Sequence, residues 1–245
     1  MQKNYIKYLF PYTETFDKKK DNMKKELFSR LQTIENTGEL ARASAEGVFS
    51  QGLVSQEFQR QLCEQLAELL TSEEMFAIAD RGEITFSMLR PGADRNIQQI
   101  SDVEVEAYIK NIVKTQLEVV TSFSIVFTPE LVEKFYGGAP KDVQIALPPE
   151  LHQGHHNRWE EFKDLMTSGP ASIILLRDEE GEAVSKWRGL VGHWDVINRR
   201  DPETLRGQLA VDNYNNLLHG SDSAESVKNE LKLVADYLLE QSSAE

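Results

Sequence analysis

The segment Asn216-Asn-Leu-Leu-His219-Gly-Ser-Asp-Ser223 sets one imidazole in a turn of small and polar residues. A neutral imidazole nitrogen is nucleophilic near pH 7, and the same ring can take up or release a proton there. Either use requires one ring nitrogen to be oriented through the hydrogen bond that the other makes. His152, His155 and His156 form a second group whose spacing could supply two metal ligands. No cysteine or carboxylate completes an obvious set with them, so an exposed polar loop is the expected reading. Cys63 is the single cysteine. It leaves no internal disulfide, fits a reducing compartment, and reads as a small buried hydrophobe.

Three further stretches stand upstream of His219 in a fixed order: Glu130-Leu-x-x-x-x-Tyr136, Met166-Thr-Ser-Gly-Pro170 and Thr204-Leu-Arg206-Gly. With Asn216-x-x-His219-Gly-Ser-Asp-Ser223 they resemble the nucleoside diphosphate kinase family, collinear from about Glu83 to Leu233. The resemblance implies transfer of a γ-phosphate from a nucleoside triphosphate to a histidine, and then onward to a diphosphate. It implies that His219 is the phosphorylated residue and that Glu230 is the carboxylate orienting it. It places Arg90, Tyr136, Arg188, Arg206 and Asn216 at the nucleotide. Arg188 and Arg206 match the family's two phosphate arginines, whose planar forks suit a transferring phosphoryl group. Asn216 matches its sugar-contacting asparagine. Mg²⁺ is implied as a passenger of the nucleotide phosphates, with no protein metal site. The family also forms homo-oligomers.

Several positions depart from the family pattern. A lysine and an aspartate around the first strand-turn give way to Arg90-Pro91-Gly92-Ala93, which keeps the charge but not the compact ammonium. Trp194 stands where a phosphate-touching threonine is usual, and Asn213 where a hydrophobic base contact is usual. The arginine and the base-stacking phenylalanine expected after Tyr136 are not recognisable in the longer segment from Gly137 to His156. Kinase-like domains of this sort joined to extra segments resemble subunits of ciliary and flagellar axonemes. The resemblance therefore implies a structural or assembly subunit of an axonemal complex, located in the cytoplasm and cilium. An active kinase working through His219 is the alternative.

Residues 1–80 read as a helical extension that can dock a protein partner, and 81–245 as the kinase-like domain. Met23, Leu27, Leu31 and Ile34 form one apolar stripe, and Phe58, Leu62, Leu66, Leu69 and Leu70 form another. Each stripe needs a surface: the other stripe, the following domain, or a second protein. Lys18, Lys19, Lys20, Lys24 and Lys25 read as a solvated basic face. Thr71-Ser-Glu-Glu74 reads as a capping box. Strands are expected over Ile84–Leu89, Val119–Phe127 and Ala171–Leu176. Helices are expected after Ser101, from Thr128 to Tyr136, over Asn157–Met166, near Ala183–Gly189 and after Asp222. A long loop covers Gly137 to about Gly154, and Trp194–Asn216 is irregular. This order gives an α+β class: a ferredoxin-like antiparallel sheet with helices, of the nucleoside diphosphate kinase type.

The chain has 245 residues, 40% hydrophobic and 27% charged, with a net charge of -13. That charge repels phosphodiester backbones and argues against nucleic acid as a partner, though a few arginines can still make a local positive cleft for a small phosphorylated ligand. No apolar run has the length of a membrane span, and Met1-Gln-Lys-Asn-Tyr-Ile-Lys7 lacks the apolar core of a signal peptide.

Overall fold

The computed structural model describes residues 26, 27, 29, 30, 56–91, 116–137, 158–213 and 215–243. In chain order these form α1 (Gln56–Leu70), α2 (Glu73–Asp80), β1 (Ile84–Leu89), β2 (Glu118–Val126), α3 (Pro129–Tyr136), α4 (Arg158–Thr167), β3 (Pro170–Arg177), α5 (Ala183–Val191), α6 (Leu205–Leu209), β4 (Leu218–Gly220) and α7 (Ala224–Ser243). The four strands make one sheet in the order β2-β3-β1-β4. Every pairing is antiparallel. The expected α+β fold is the observed one.

Alternation along the central strands decides how the helices divide. Successive side chains of a strand point to opposite faces. Ile84, Phe86 and Met88 of β1 accordingly share a core with Ile173 and Leu175 of β3 and with residues of α1, α2, α3, α4 and α7. Leu89, Ile174 and Leu176 face the other way, onto Ala183, Trp187 and Val191 of α5 and Leu205 of α6. Because both faces are covered, all six residues of β1 are buried, including Thr85 and Ser87. The strand therefore reads as a continuous run rather than an alternating one.

Local capping sets several element ends. Thr128 accepts the Leu131 amide at the start of α3, Pro129 occupies the first helical position, and Gly137 closes the helix with φ 68°. The expected capping box at Thr71 is displaced by one residue. Ser72 is the cap, its Oγ accepting the Met75 amide, while the Thr71 hydroxyl donates back to the Ala67 carbonyl and finishes α1. The stretch Trp194–Asn216 holds the short helix α6, capped by Thr204, and β4 follows it. With only three residues, β4 owes its strand geometry to pairing with β1 and carries no periodic signal of its own.

The stripe Leu62, Leu66, Leu69 and Leu70 of α1 buries against the domain that follows, along α7 and its residues Val227, Leu231, Val234 and Ala235. Leu27 joins the same core. The other residues of the first stripe, the lysine group, the helix expected after Ser101, the 138–157 segment and the three-histidine cluster lie outside the described residues. Among the described residues no helix is long and apolar enough to cross a membrane. If α1 is part of the domain core, Leu70→Ala lowers stability by about 2–5 kcal/mol, as a shifted urea midpoint of one cooperative transition.

Candidate active site

The site is built where β1 ends beside the entry to β4. The Leu218 amide donates to the Asn216 carbonyl at 2.8 Å, closing a three-residue turn centred on Leu217, whose φ is 73°. A leucine in this region is strained by about 1–3 kcal/mol. Two things hold it there. Its side chain is buried in the core on the α5 face, and its carbonyl accepts the Arg90 amide at 3.0 Å. The turn swings the chain into β4 so that His219 pairs opposite Met88.

His219 thereby lies against the edges of Phe86, Phe135 and Tyr136, with ring centroids 6.2, 5.1 and 5.9 Å away. Its Nε2 meets Glu230 Oε1 at 2.8 Å. The other carboxylate oxygen of Glu230 accepts the Ser221 hydroxyl at 2.5 Å. A buried carboxylate is tolerable when donors satisfy it, and here two do. With the carboxylate oxygen as the acceptor of this hydrogen bond, Nε2 is the donor and Nδ1 keeps its lone pair. The imidazole side chain is 18% exposed, so the ring can be reached from solvent.

Three arginines gather on this side despite the overall negative charge. Arg206 donates to the Gly192 carbonyl at 3.0 Å and the Leu218 carbonyl at 2.5 Å, stapling the end of α5 to β4. Burial, with the charge of Arg90 second, presses its pKa down to about 9, which still leaves it cationic at neutral pH. Arg188, exposed on α5, lies within electrostatic reach of Arg206, His193 and Asp222. Arg90 is buried, 5.1 Å from the Phe162 ring centroid and 5.7 Å from that of Tyr136, and donates to Asn216 Oδ1 at 2.6 Å. Burial pushes the Tyr136 phenol up, against the opposing charge of Arg90.

All seven residues singled out from the sequence thus lie in one neighbourhood. His219 and Glu230 touch each other, and Arg90 touches Asn216. Asn216 is held at both ends of its amide, since its nitrogen also donates to the Asn213 carbonyl at 2.9 Å. Asn213 ties two segments together, accepting the Ile197 amide and donating to Asp195. Trp194 is 42% exposed and stacks on His193. Sequence reasoning assigned no role to Ser221, Phe162 or Leu217. Ser221 sits inside the His-Gly-Ser motif, which was its only signal. Gly220 has a structural cause, because a Cβ there would come within 2.5 Å of the buried Trp187 indole nitrogen.

A family profile described as nucleoside diphosphate kinase matches residues 83–237. The chain is 33% identical over 150 residues to a nucleoside diphosphate kinase of Methylorubrum extorquens, covering 61% of this chain and 90% of that protein. It is 33% identical over 115 residues to one of Deinococcus radiodurans, covering 43% and 81%. It is 41% identical over 87 residues to one of Frankia casuarinae, covering 34% of this chain and 61% of that protein.

The turn at Leu217 makes a specific prediction. Leu217→Ala costs about 2–5 kcal/mol through the lost packing. Leu217→Gly costs no more than the alanine variant, because glycine relieves the positive φ. At an unstrained site glycine would be the worse of the two, so the order of the two urea midpoints tests the strain.

Proposed function

Because this chain belongs to the nucleoside diphosphate kinase family, we propose that it passes a γ-phosphoryl group from a nucleoside triphosphate to a nucleoside diphosphate through a phosphohistidine at His219. The observation that carries this reading is the His219–Glu230–Ser221 chain, which holds Nε2 as the donor and leaves Nδ1 as the nucleophile. The Nδ1 lone pair attacks the γ-phosphorus, the bond to the bridging oxygen breaks, and the diphosphate leaves with that electron pair. A terminal oxygen of a second diphosphate then attacks the same phosphorus and returns the imidazole to its starting form. Glu230 stabilises the ring while it carries positive charge, and Arg188, Arg206 and Arg90 offset the charge on the phosphoryl oxygens.

Mg²⁺ would enter with the nucleotide and would supply positive charge that offsets the phosphates. Among the described residues no group of three His, Cys, Asp or Glu side chains gathers to hold a metal on the protein alone. The edge-on aromatic wall of Phe86, Phe135 and Tyr136 limits water around the phosphorylated ring.

A second reading has its own support. Arg90 and the Asn213 carbonyl occupy the amide of Asn216 from within the protein. A site arranged in this way suits a structural or assembly subunit that keeps the fold and meets protein partners through residues 1–80. A ciliary or flagellar axonemal complex is the setting that the family analogy supplies, with self-association as a further mode.

Incubation with γ-labelled ATP separates the two. The enzyme reading expects acid-labile label on the wild-type protein that chases onto added diphosphate. His219→Ala abolishes it, and Glu230→Gln slows it by roughly tenfold to a hundredfold. A folded, nucleotide-loaded protein that takes up no label leaves the assembly reading standing. Arg90→Lys adds a second measurement: releasing Asn216 raises nucleotide affinity if that amide is meant for the sugar.

A further inference from the structure

Glu230 reaches His219 from α7, and α7 is gripped by an element that comes before the whole site in the chain. Among the described residues, α7 packs more extensively on α1 than on any other element, the sheet included. Leu66, Leu69 and Leu70 of α1 share one buried core with Val227, Leu231 and Val234 of α7. Val227 and Val234 stand one turn before and one turn after Glu230, so they lie on its side of the helix. The end of α2 adds a second hold, Lys228 donating to Asp80 at 2.5 Å two residues before Glu230. Both α1 and α2 lie ahead of residue 83, where the match to the family begins.

Through α2, α1 is also tied to the strand that holds the imidazole. The link from α1 to α2 is closed by the Thr71 and Ser72 amides, which donate to the Ala67 and Leu69 carbonyls. The link from α2 to β1 is closed in the same way, the Gly82 and Glu83 amides donating to the Ala79 and Ile78 carbonyls at 2.9 and 3.1 Å. Met75, Ile78 and Ala79 anchor α2 in the shared core. β1 then pairs Met88 opposite His219. One hydrogen-bonded stretch, 56–89, therefore grips His219 at its strand end and Glu230 at its helix end. The gap it spans is the 2.8 Å between Nε2 and Oε1. A separation of about 3.6 Å is no longer a hydrogen bond, so the pair survives only a small drift of α7.

We infer that α1 is a positioning element for the transfer centre: its buried leucines, Leu66 among them, hold α7 at the depth at which Glu230 meets the imidazole. This rests on the reading of His219 and Glu230 as the phosphoryl-transfer pair. The action of α1 on the imidazole passes through α7 and Glu230.

The test compares the full wild-type chain with Leu66→Ala and with Leu176→Ala, a control of the same chemistry in the core on the α5 face. Each protein is measured twice: the ring-nitrogen shifts of His219 by nitrogen NMR, and the rate of acid-labile label uptake from saturating γ-labelled ATP. In the wild type the shifts place the ring proton on Nε2. Leu66→Ala draws the two nitrogen shifts together as Glu230 loses its hold on the ring, and it slows uptake by about tenfold or more. The half-saturating ATP concentration stays where it was. Leu176→Ala lowers the urea midpoint comparably, yet keeps the wild-type nitrogen shifts and rate. Leu66→Val, which leaves a smaller cavity, moves the nitrogen shifts in the same direction and decides the matter if the alanine variant does not fold. Wild-type nitrogen shifts in the folded Leu66 variant, or equal changes in Leu176→Ala, overturn the proposal. A wild-type chain that takes up no label, with the nitrogen shifts still responding to Leu66→Ala, removes phosphoryl transfer and leaves the positioning role of α1 standing.

Discussion

A carboxylate taken out of water must be repaid in hydrogen bonds, and Glu230 is the group on which this molecule's arrangement turns. It projects from α7 into the sheet face and meets His219 of β4 with one oxygen and Ser221 with the other. Both donors belong to the short strand and its exit, so satisfying Glu230 also fixes β4 against α7. A three-residue strand has little cohesion of its own. The carboxylate that orients the imidazole also holds in place the strand carrying that imidazole. The buried Val227, Leu231 and Val234 keep α7 at the depth this contact needs.

The arginines show how a strongly acidic sequence can gather positive charge in one place. A net charge of -13 describes the outer surface, whereas Arg206 is turned inward and bonded to two main-chain carbonyls. Neutral carbonyls stabilise a guanidinium without cancelling its charge, so the cluster keeps its field. Arg90 is held in a similar way, one guanidinium nitrogen donating to the neutral amide oxygen of Asn216 between two aromatic rings. A longer, branched cation in place of a compact one reaches a side chain that an ammonium would leave free. The substitution thus couples two positions that a reading of residues one at a time keeps separate.

What the sequence disclosed follows the range of the forces involved. The helices α3 and α7 were readable because cap, proline and stripe are all local. The strands β1, β2 and β3 were readable from β-branched and aromatic runs. β4 was not, since its geometry comes from β1 across the sheet. Ser72 displaced Thr71 as a cap because Ser72 is the residue whose backbone is extended (φ -63°, ψ 148°) and whose Oγ meets the Met75 amide, a choice that composition does not reveal. His219, Glu230 and the arginines were legible through a motif. The positive φ of Leu217 and the engagement of Asn216 by Arg90 were not, because both depend on packing between distant segments.

Gly220 carries a consequence for how such a site can change over generations. With no room for even a methyl group between its Cα and the Trp187 indole, β4 and α5 touch without slack, and α5 carries Arg188. The spacing between the strand that carries the imidazole and the helix that carries Arg188 therefore cannot absorb even a methyl group at Gly220. Trp194, in the loop after α5, lies outside that contact. A side chain in that loop can be exchanged without disturbing the contact between β4 and α5.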